Sequence, residues 1–314
     1  MLLLRSIILL TRLIPFIIML EQFLQYLQYE KRYSQHTVIS YRTDLCQFSE
    51  YLYTQYEISD LSQTTHLMVR SWFVSLIEHK ISARTVNRKK TTLKTYFKFL
   101  RKQGILSENP MTKVITAKTS KRLPTFVEED KMLEMLDHPI VKSKDEFTLV
   151  RDHLVLEMFY ATGIRLSELV NLKEPDVNLY NSTIKVLGKR NKERIIPFTN
   201  HLKILIEQYL KIKHREIEIN KDDNHFFVTA TGKKVYQKLI YRVVNYYLST
   251  VTTKDKKSPH VLRHTFATHM LNHGADLNSI KELLGHANLA ATQIYTHNTI
   301  EKLKTVYKQS HPKA

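Results

Sequence analysis

The sequence predicts a mainly α-helical chain of two domains, a small helical bundle followed by an α+β domain with one antiparallel β element. Three observations carry this reading. Apolar residues recur at three- and four-residue spacing through most of the chain. One stretch, Thr183–Leu187 and then Arg194–Phe198 around the polar tip GKRNKE, reads instead as a β-hairpin. The length of 314 residues suggests two cores, at about 150 residues per domain.

Taken in order, residues 1–18 (MLLLRSIILLTRLIPFII) are apolar, but Arg5 and Arg12 break the run well short of the ~18 apolar residues a spanning helix needs. No small-residue cleavage site follows. We expect an untranslated or disordered extension, ahead of a membrane role, because Met19 opens an amphipathic phrase, MLEQFLQYLQYEKR. From there to about residue 106 the spacing predicts four helices, separated at Ser34, Asp60-Leu61-Ser62 and Ser82. The fourth is strongly basic: residues 80–102 hold nine Lys and Arg and no acid. Lys90, Lys94, Lys98 and Lys102 recur every four residues on one face, with Val86, Leu93, Phe97 and Leu100 opposite. Four like charges in a row repel one another, and phosphates would relieve them. Together with Arg84 and Arg88, these lysines are the candidate contacts to a phosphate backbone.

Residues 107–124, with Pro110, Pro124 and scattered Ser, Thr and Lys, read as an exposed linker. A helix is expected near Thr125, with Glu128, Glu129 and Asp130 complementing its dipole. The second domain then runs to residue 314.

Composition narrows the function. Lys and Arg number 48 against 30 Asp and Glu, a formal charge of +18, which points to nucleic acid or an anionic membrane surface. The one cysteine, Cys46, excludes an intramolecular disulfide and fits a reducing compartment, the cytoplasm. Six glycines, none closely spaced, leave no Rossmann fingerprint and no Walker A loop. Any phosphate must be gripped mainly by side chains.

The second domain supplies such side chains. In SPHVLRHTFATHM, Ser258 and Pro259 start a helix and place His260 and Arg263 on one face of its first turn. His260 and His264 are four apart, but with no Cys and no nearby acid a zinc site is disfavoured. In SIKELLGHANLAATQIYTH, a helix ends at Gly285 and presents His286, with Tyr295 nine residues on. In FYATGIRLSELVNL, a helix ends at Gly163 and Arg165 opens the next, with Glu168 on the same face. The hairpin tip adds Lys189. Two arginines can stabilise the extra charge of a phosphodiester transition state without a metal. A tyrosine hydroxyl needs a base to attack phosphorus, and His260 can supply it. A lysine can protonate the departing sugar oxygen, and His286 can donate a hydrogen bond to a non-bridging oxygen.

The ordered set Arg165, Lys189, His260-x-x-Arg263, His286 and Tyr295, in these phrases, resembles the tyrosine recombinases, most closely the Xer subgroup, over residues 19–314. The resemblance implies a SAM-like four-helix core-binding domain at 19–106, a linker at 107–124 and an α+β catalytic domain of the DNA breaking-rejoining type at 125–314. It implies Tyr295 as nucleophile forming a 3′-phosphotyrosine, Arg165, Arg263 and His286 as phosphate ligands, Lys189 as general acid and His260 as general acid/base. No cofactor, metal or small-molecule substrate is expected. The implied partners are double-stranded DNA and a homo- or hetero-tetramer of protomers on two DNA sites, with a second Xer recombinase and a DNA translocase as further candidates. Chromosome dimer resolution through a Holliday junction is the expected role, and mobile-element integration by the same chemistry is the alternative. A non-catalytic DNA-binding protein would explain the charge but not the Arg/Lys/His/Tyr set. Two features depart from the pattern: the 1–18 extension, and Arg190 where a second glycine often follows the lysine. In the family the segment after the tyrosine, here Ile300, Leu303, Val306 and Tyr307, docks into a neighbouring protomer; the alternative is that it packs on its own domain.

Overall fold

The computed structural model describes residues 16–114, 125–137, 145–188, 193–218, 224–253, 256–285 and 305–313. The chain divides into two units, Met1–Arg122 and Leu123–Ala314.

In the first unit, residues 16–25 are helical (α1) and run into a π turn at Tyr26–Glu30. Three more helices follow: α2 Gln35–Tyr56, α3 His66–Glu78 and α4 Ala83–Lys102. The polar residues that punctuate the sequence are their N-caps. Ser34 accepts from the Thr37 amide, Thr65 from Met68 and Ser82 from Thr85, each bonding an amide of the first turn that lacks an i−4 carbonyl partner. The apolar stripes of the four helices meet in one core around Phe23, Leu45, Phe48, Trp72, Leu93 and Phe97. Phe16 belongs to that core, so the folded unit begins at least three residues before the expected start at Met19.

The fourth helix carries a correction. Arg88 pairs with the buried carboxylate of Asp44 on α2, which also accepts from Lys89 Nζ at 2.9 Å and Thr92 Oγ1 at 2.8 Å. Lys89 is itself buried and also bonds Gln47, while Lys102 lies 3.5 Å from Glu30. The basic run is therefore partly neutralised by acids on other helices, because a buried carboxylate needs charged donors. Arg84, Lys94 and Lys98 are exposed and Lys90 is half-buried.

Among its described residues the second unit contains the helices α5 Glu129–Asp137, α6 Glu146–Thr162, α7 Leu166–Asn171, α8 Asn200–Glu216, α9 Gln237–Val251, α10 Pro259–Asn272 and α11 Leu277–Leu284. Residues 305–310 are helical and form α12. The hairpin is β2 Thr183–Leu187 against β3 Glu193–Pro197, with Leu187 opposite Glu193. A two-residue strand, β1 Val177–Asn178, pairs with β2 and completes a small antiparallel sheet, of which the sequence delineates only the hairpin strands. Central helix α6 is buried nearly all round and packs on α8, α9 and α10.

Helix α5 begins at Glu129, not near Thr125. Residues 125–128 are not helical, and tertiary bonds take up their backbone groups: the Val127 amide donates to Thr265 Oγ1 at 3.0 Å, and His269 Nε2 bonds the Val127 carbonyl at 3.0 Å. The other ring nitrogen of His269 bonds Tyr160 Oη at 3.0 Å. The Tyr160 carbonyl in turn meets His311 Nε2 at 3.2 Å. Tyr307 donates to the Ala161 carbonyl at 2.6 Å, and Lys313 pairs with Asp137 and Glu157, each at 2.8 Å. Residues 305–313 thus pack on their own unit in the single chain, the alternative to docking on a neighbour. Among the described residues no helix is long and apolar enough to cross a membrane.

Candidate active site

The site is built where two helices end. Helix α6 closes at Gly163 (φ 57°, ψ 24°) and α11 at Gly285 (φ 63°, ψ 51°), both left-handed, a conformation that costs an L side chain about 1–2 kcal/mol. Each glycine also has no room for a side chain. A Cβ at Gly163 would lie 2.6 Å from Phe266 Cδ1, and one at Gly285 would lie 2.9 Å from Arg194 Cδ. Both helices therefore expose their last carbonyls at one place.

Three arginines occupy that place. Arg194 Nε donates to the Leu283 carbonyl at 2.9 Å, Arg263 Nη2 to Leu284 at 2.5 Å and Arg165 Nη2 to Gly285 at 2.9 Å. Three consecutive carbonyls at the end of α11 are thus each held by a different guanidinium. Arg263 also binds the Gly163 carbonyl through Nη1. Cations at helix C-termini are favourable, and here they fix the end of α11 at Gly285.

Glu168 organises the arginines from the other side. Arg165 is the N-cap of α7; its amide donates to Glu168 Oε2 at 2.9 Å and its Nη1 to Oε1 at 2.7 Å. Arg194 grips the same carboxylate with a two-pronged fork, Nη1 to Oε1 at 2.7 Å and Nη2 to Oε2 at 2.8 Å. Burial alone would raise the Glu168 carboxyl, but the bonds and charge of Arg194, followed by those of Arg165, outweigh it and hold the group below the usual carboxylate range. Arg263 shows the reverse imbalance. Burial, then the charges of Arg165 and Arg194, lower it to about 9, with Glu168 the opposing influence. It remains a cation at neutral pH, in a cluster with more positive than negative charge.

Arg165 is about one-quarter exposed, Arg194 and Arg263 are buried, and His260 is exposed one turn before Arg263 on α10. Burial and the Arg263 charge lower the His260 imidazole, so it is neutral at pH 7. Its ring lies edge-on to His264, centroids 4.5 Å apart. Ser258 stands at the N-cap of α10, as the sequence predicts, but its side chain makes no capping bond. Each Nη of Arg165 and Arg263 carries two hydrogens, so donors remain for an anion beyond the bonds named.

The structure therefore brings Arg165 and Arg263 together at one helix end and places His260 on the same helix as Arg263. Lys189, His286 and Tyr295 lie outside the described residues. Arg194 escaped the sequence reading, although a signal existed. It alternates in phase with inward Ile196 in the β3 strand ERIIP, and an arginine on a buried face requires an acid. Among the described residues no group of three His, Cys, Asp or Glu could hold a metal.

Two family profiles match the chain: the phage integrase family over residues 125–302, and the phage integrase N-terminal SAM-like domain over 20–104. Among curated relatives, a tyrosine recombinase XerC of Chlorobaculum tepidum is 35% identical over 94% of each chain. One of Oceanobacillus iheyensis is 39% identical over 94% of this chain and 96% of the relative. A crystal structure of a XerH site-specific recombinase bound to its difH substrate before cleavage superposes with TM-score 0.65 and 25% identity, over 86% of this chain and 79% of that one.

Proposed function

The chain belongs to the phage integrase family, and from that premise we propose that Arg165 and Arg263 hold a scissile DNA phosphate for attack by Tyr295. It is a site-specific tyrosine recombinase, an enzyme that cuts and rejoins DNA strands. The observation that carries the reading is the convergence of Arg165 and Arg263 on adjacent carbonyls, Gly285 and Leu284, at the point where the chain proceeds to His286.

In this mechanism the Tyr295 hydroxyl attacks phosphorus and its proton passes to His260, whose neutral imidazole accepts it. The bond from phosphorus to the 5′ oxygen breaks, a 3′-phosphotyrosine forms, and Lys189 gives a proton to the departing oxygen. Arg165, Arg263 and a hydrogen bond from His286 stabilise the charge gathering on the non-bridging oxygens. The phosphotyrosine conserves the energy of the broken bond, so a 5′ hydroxyl from a partner strand reverses the steps without ATP and produces a Holliday junction.

DNA is the partner. The first unit, whose core takes in Phe16 and reaches past the expected boundary at 106 to Met111, forms the core-binding domain, and residues 125–314 form the catalytic domain. Exposed Arg84, Lys94 and Lys98, with Lys90, meet the duplex backbone, while Arg88 and Lys102 divide their charge between DNA and the acids they pair with. The enzyme works in the cytoplasm as a tetramer on two DNA sites, with a second Xer recombinase and a DNA translocase as candidate partners. The relatives' XerC names favour chromosome dimer resolution.

The test begins by mapping the chromosomal positions protected by the Tyr295→Phe variant, then building a nicked suicide duplex on that site. Wild type should form a covalent protein–DNA adduct. Tyr295→Phe should bind and form none, and an adduct with that variant would refute the assignment.

A further inference from the structure

We propose that Arg194 is a positioning residue for strand cleavage, acting through Glu168 to keep the arginine cluster two charges positive. The inference rests on the reading of the site given above and deepens it.

The geometry is specific. Glu168 Oε1 accepts from both Arg194 Nη1 and Arg165 Nη1, each at 2.7 Å, so one carboxylate is shared between a buried arginine and a partly exposed one. Arg194 takes the larger part, through both oxygens. Its third anchor, the Leu283 carbonyl, leaves it facing the protein and not a ligand. Arg165, Arg194 and Arg263 against Glu168 give three positive charges and one negative.

That balance matches the reaction. A phosphodiester carries one negative charge, and attack by a tyrosine that has given up its proton carries the phosphoryl group to two. A doubly positive cluster is therefore complementary to the transition state rather than to bound DNA, which is the condition for lowering the barrier. Without Arg194 the carboxylate turns wholly to Arg165. The cluster falls to one positive charge, suited to the ground state. The residue works without touching the phosphate.

The experiment measures single-turnover adduct formation by the full-length chain on the nicked duplex, with either a phosphodiester or a neutral methylphosphonate at the cleaved position. Arg194→Met should bind DNA within about threefold of wild type and cleave the diester about 10²–10³-fold more slowly, a loss of the size of one transition-state donor, because Glu168 then draws Arg165 from the phosphate. On methylphosphonate, whose transition state carries one charge less, the deficit relative to wild type should shrink at least tenfold. Arg194→Lys restores the charge without the fork and should cleave the diester within about tenfold of wild type. Equal losses on both substrates for Arg194→Met, or a lysine variant more than 100-fold impaired while folded by circular dichroism, would overturn the proposal. If Arg194→Met does not fold, the lysine variant decides alone. A wild-type chain that forms no adduct would instead refute the assignment of Tyr295.

Discussion

Replacing Gly163 by alanine probes the junction of the two helix ends directly. Gly163 is left-handed, and a Cβ there meets Phe266 Cδ1 at 2.6 Å and Leu284 Cδ2 at 2.8 Å, both on buried side chains. Gly274 offers an internal control, because it too has positive φ (83°) but nothing lies within 4 Å of its added Cβ. Gly274→Ala should therefore cost only the conformational penalty, about 1 kcal/mol. Gly163→Ala adds overpacking of about 1–3 kcal/mol, for a total near 3 kcal/mol. In a unit of this size each kcal/mol lowers the melting temperature by about 2–4 °C, so calorimetry should place Gly163→Ala near 10 °C below wild type and Gly274→Ala near 3 °C below. The clash also displaces the carbonyl that Arg263 Nη1 binds, so adduct formation at a temperature where the variant is folded should drop at least tenfold for Gly163→Ala and hold for Gly274→Ala. Equal melting temperatures for the two variants would refute the packing argument. Wild-type cleavage by Gly163→Ala would refute the link from helix end to arginine.

Glu168→Gln removes a carboxylate held below the usual range. In wild type that group contributes stability above its unfolded pKa, about 4.3, and loses it as pH falls through the lower folded value. The variant should be less stable at pH 7 by about 3 kcal/mol, and acid denaturation should show the gap between the two chains narrowing below pH 4. For His260, whose imidazole is lowered by burial and the Arg263 charge, the fall in cleavage rate on acidification should lie on the acid side of the ordinary imidazole range; His260→Asn should abolish that acid limb in single-turnover assays. The Lys94→Gln/Lys98→Gln pair should weaken DNA binding and flatten the slope of log affinity against log salt by about 2, read by fluorescence anisotropy. Among the described residues neither side chain has a hydrogen-bond or ion-pair partner to lose, so the melting temperature should stay within 1–2 °C.

What could be read from the sequence was local. Ser34 and Ser82 announce helices because a cap bonds an amide three residues on, and Gly163 and Gly285 mark helix ends because only a few residues separate the signal from its effect. Arg165 and Glu168 share a face by helical spacing alone, and their ion pair was legible for that reason. The contacts between distant segments were not. Asp44 meets Arg88 across 44 positions and Arg194 meets Glu168 across 26, so the basic run looked unopposed and the third arginine went unnoticed. The start of α5 was misplaced because Thr265 and His269, more than 130 residues away, capture Val127. Convergence of Arg165 and Arg263 was legible only as chemistry. The shared helix end that produces it belongs to the packing of α6, α10 and α11.

The relay from Val127 through His269 and Tyr160 to His311 joins the entry and exit of the second unit. The unit's two ends are fastened to the same tyrosine, one by its hydroxyl and the other by its carbonyl. Tension between the linker and the tail would load three hydrogen bonds in series before reaching the apolar interior. At the tail the load is shared with the bonds of Tyr307 to Ala161 and of Lys313 to Asp137 and Glu157, so Tyr160 and its helix α6 anchor both margins of the unit.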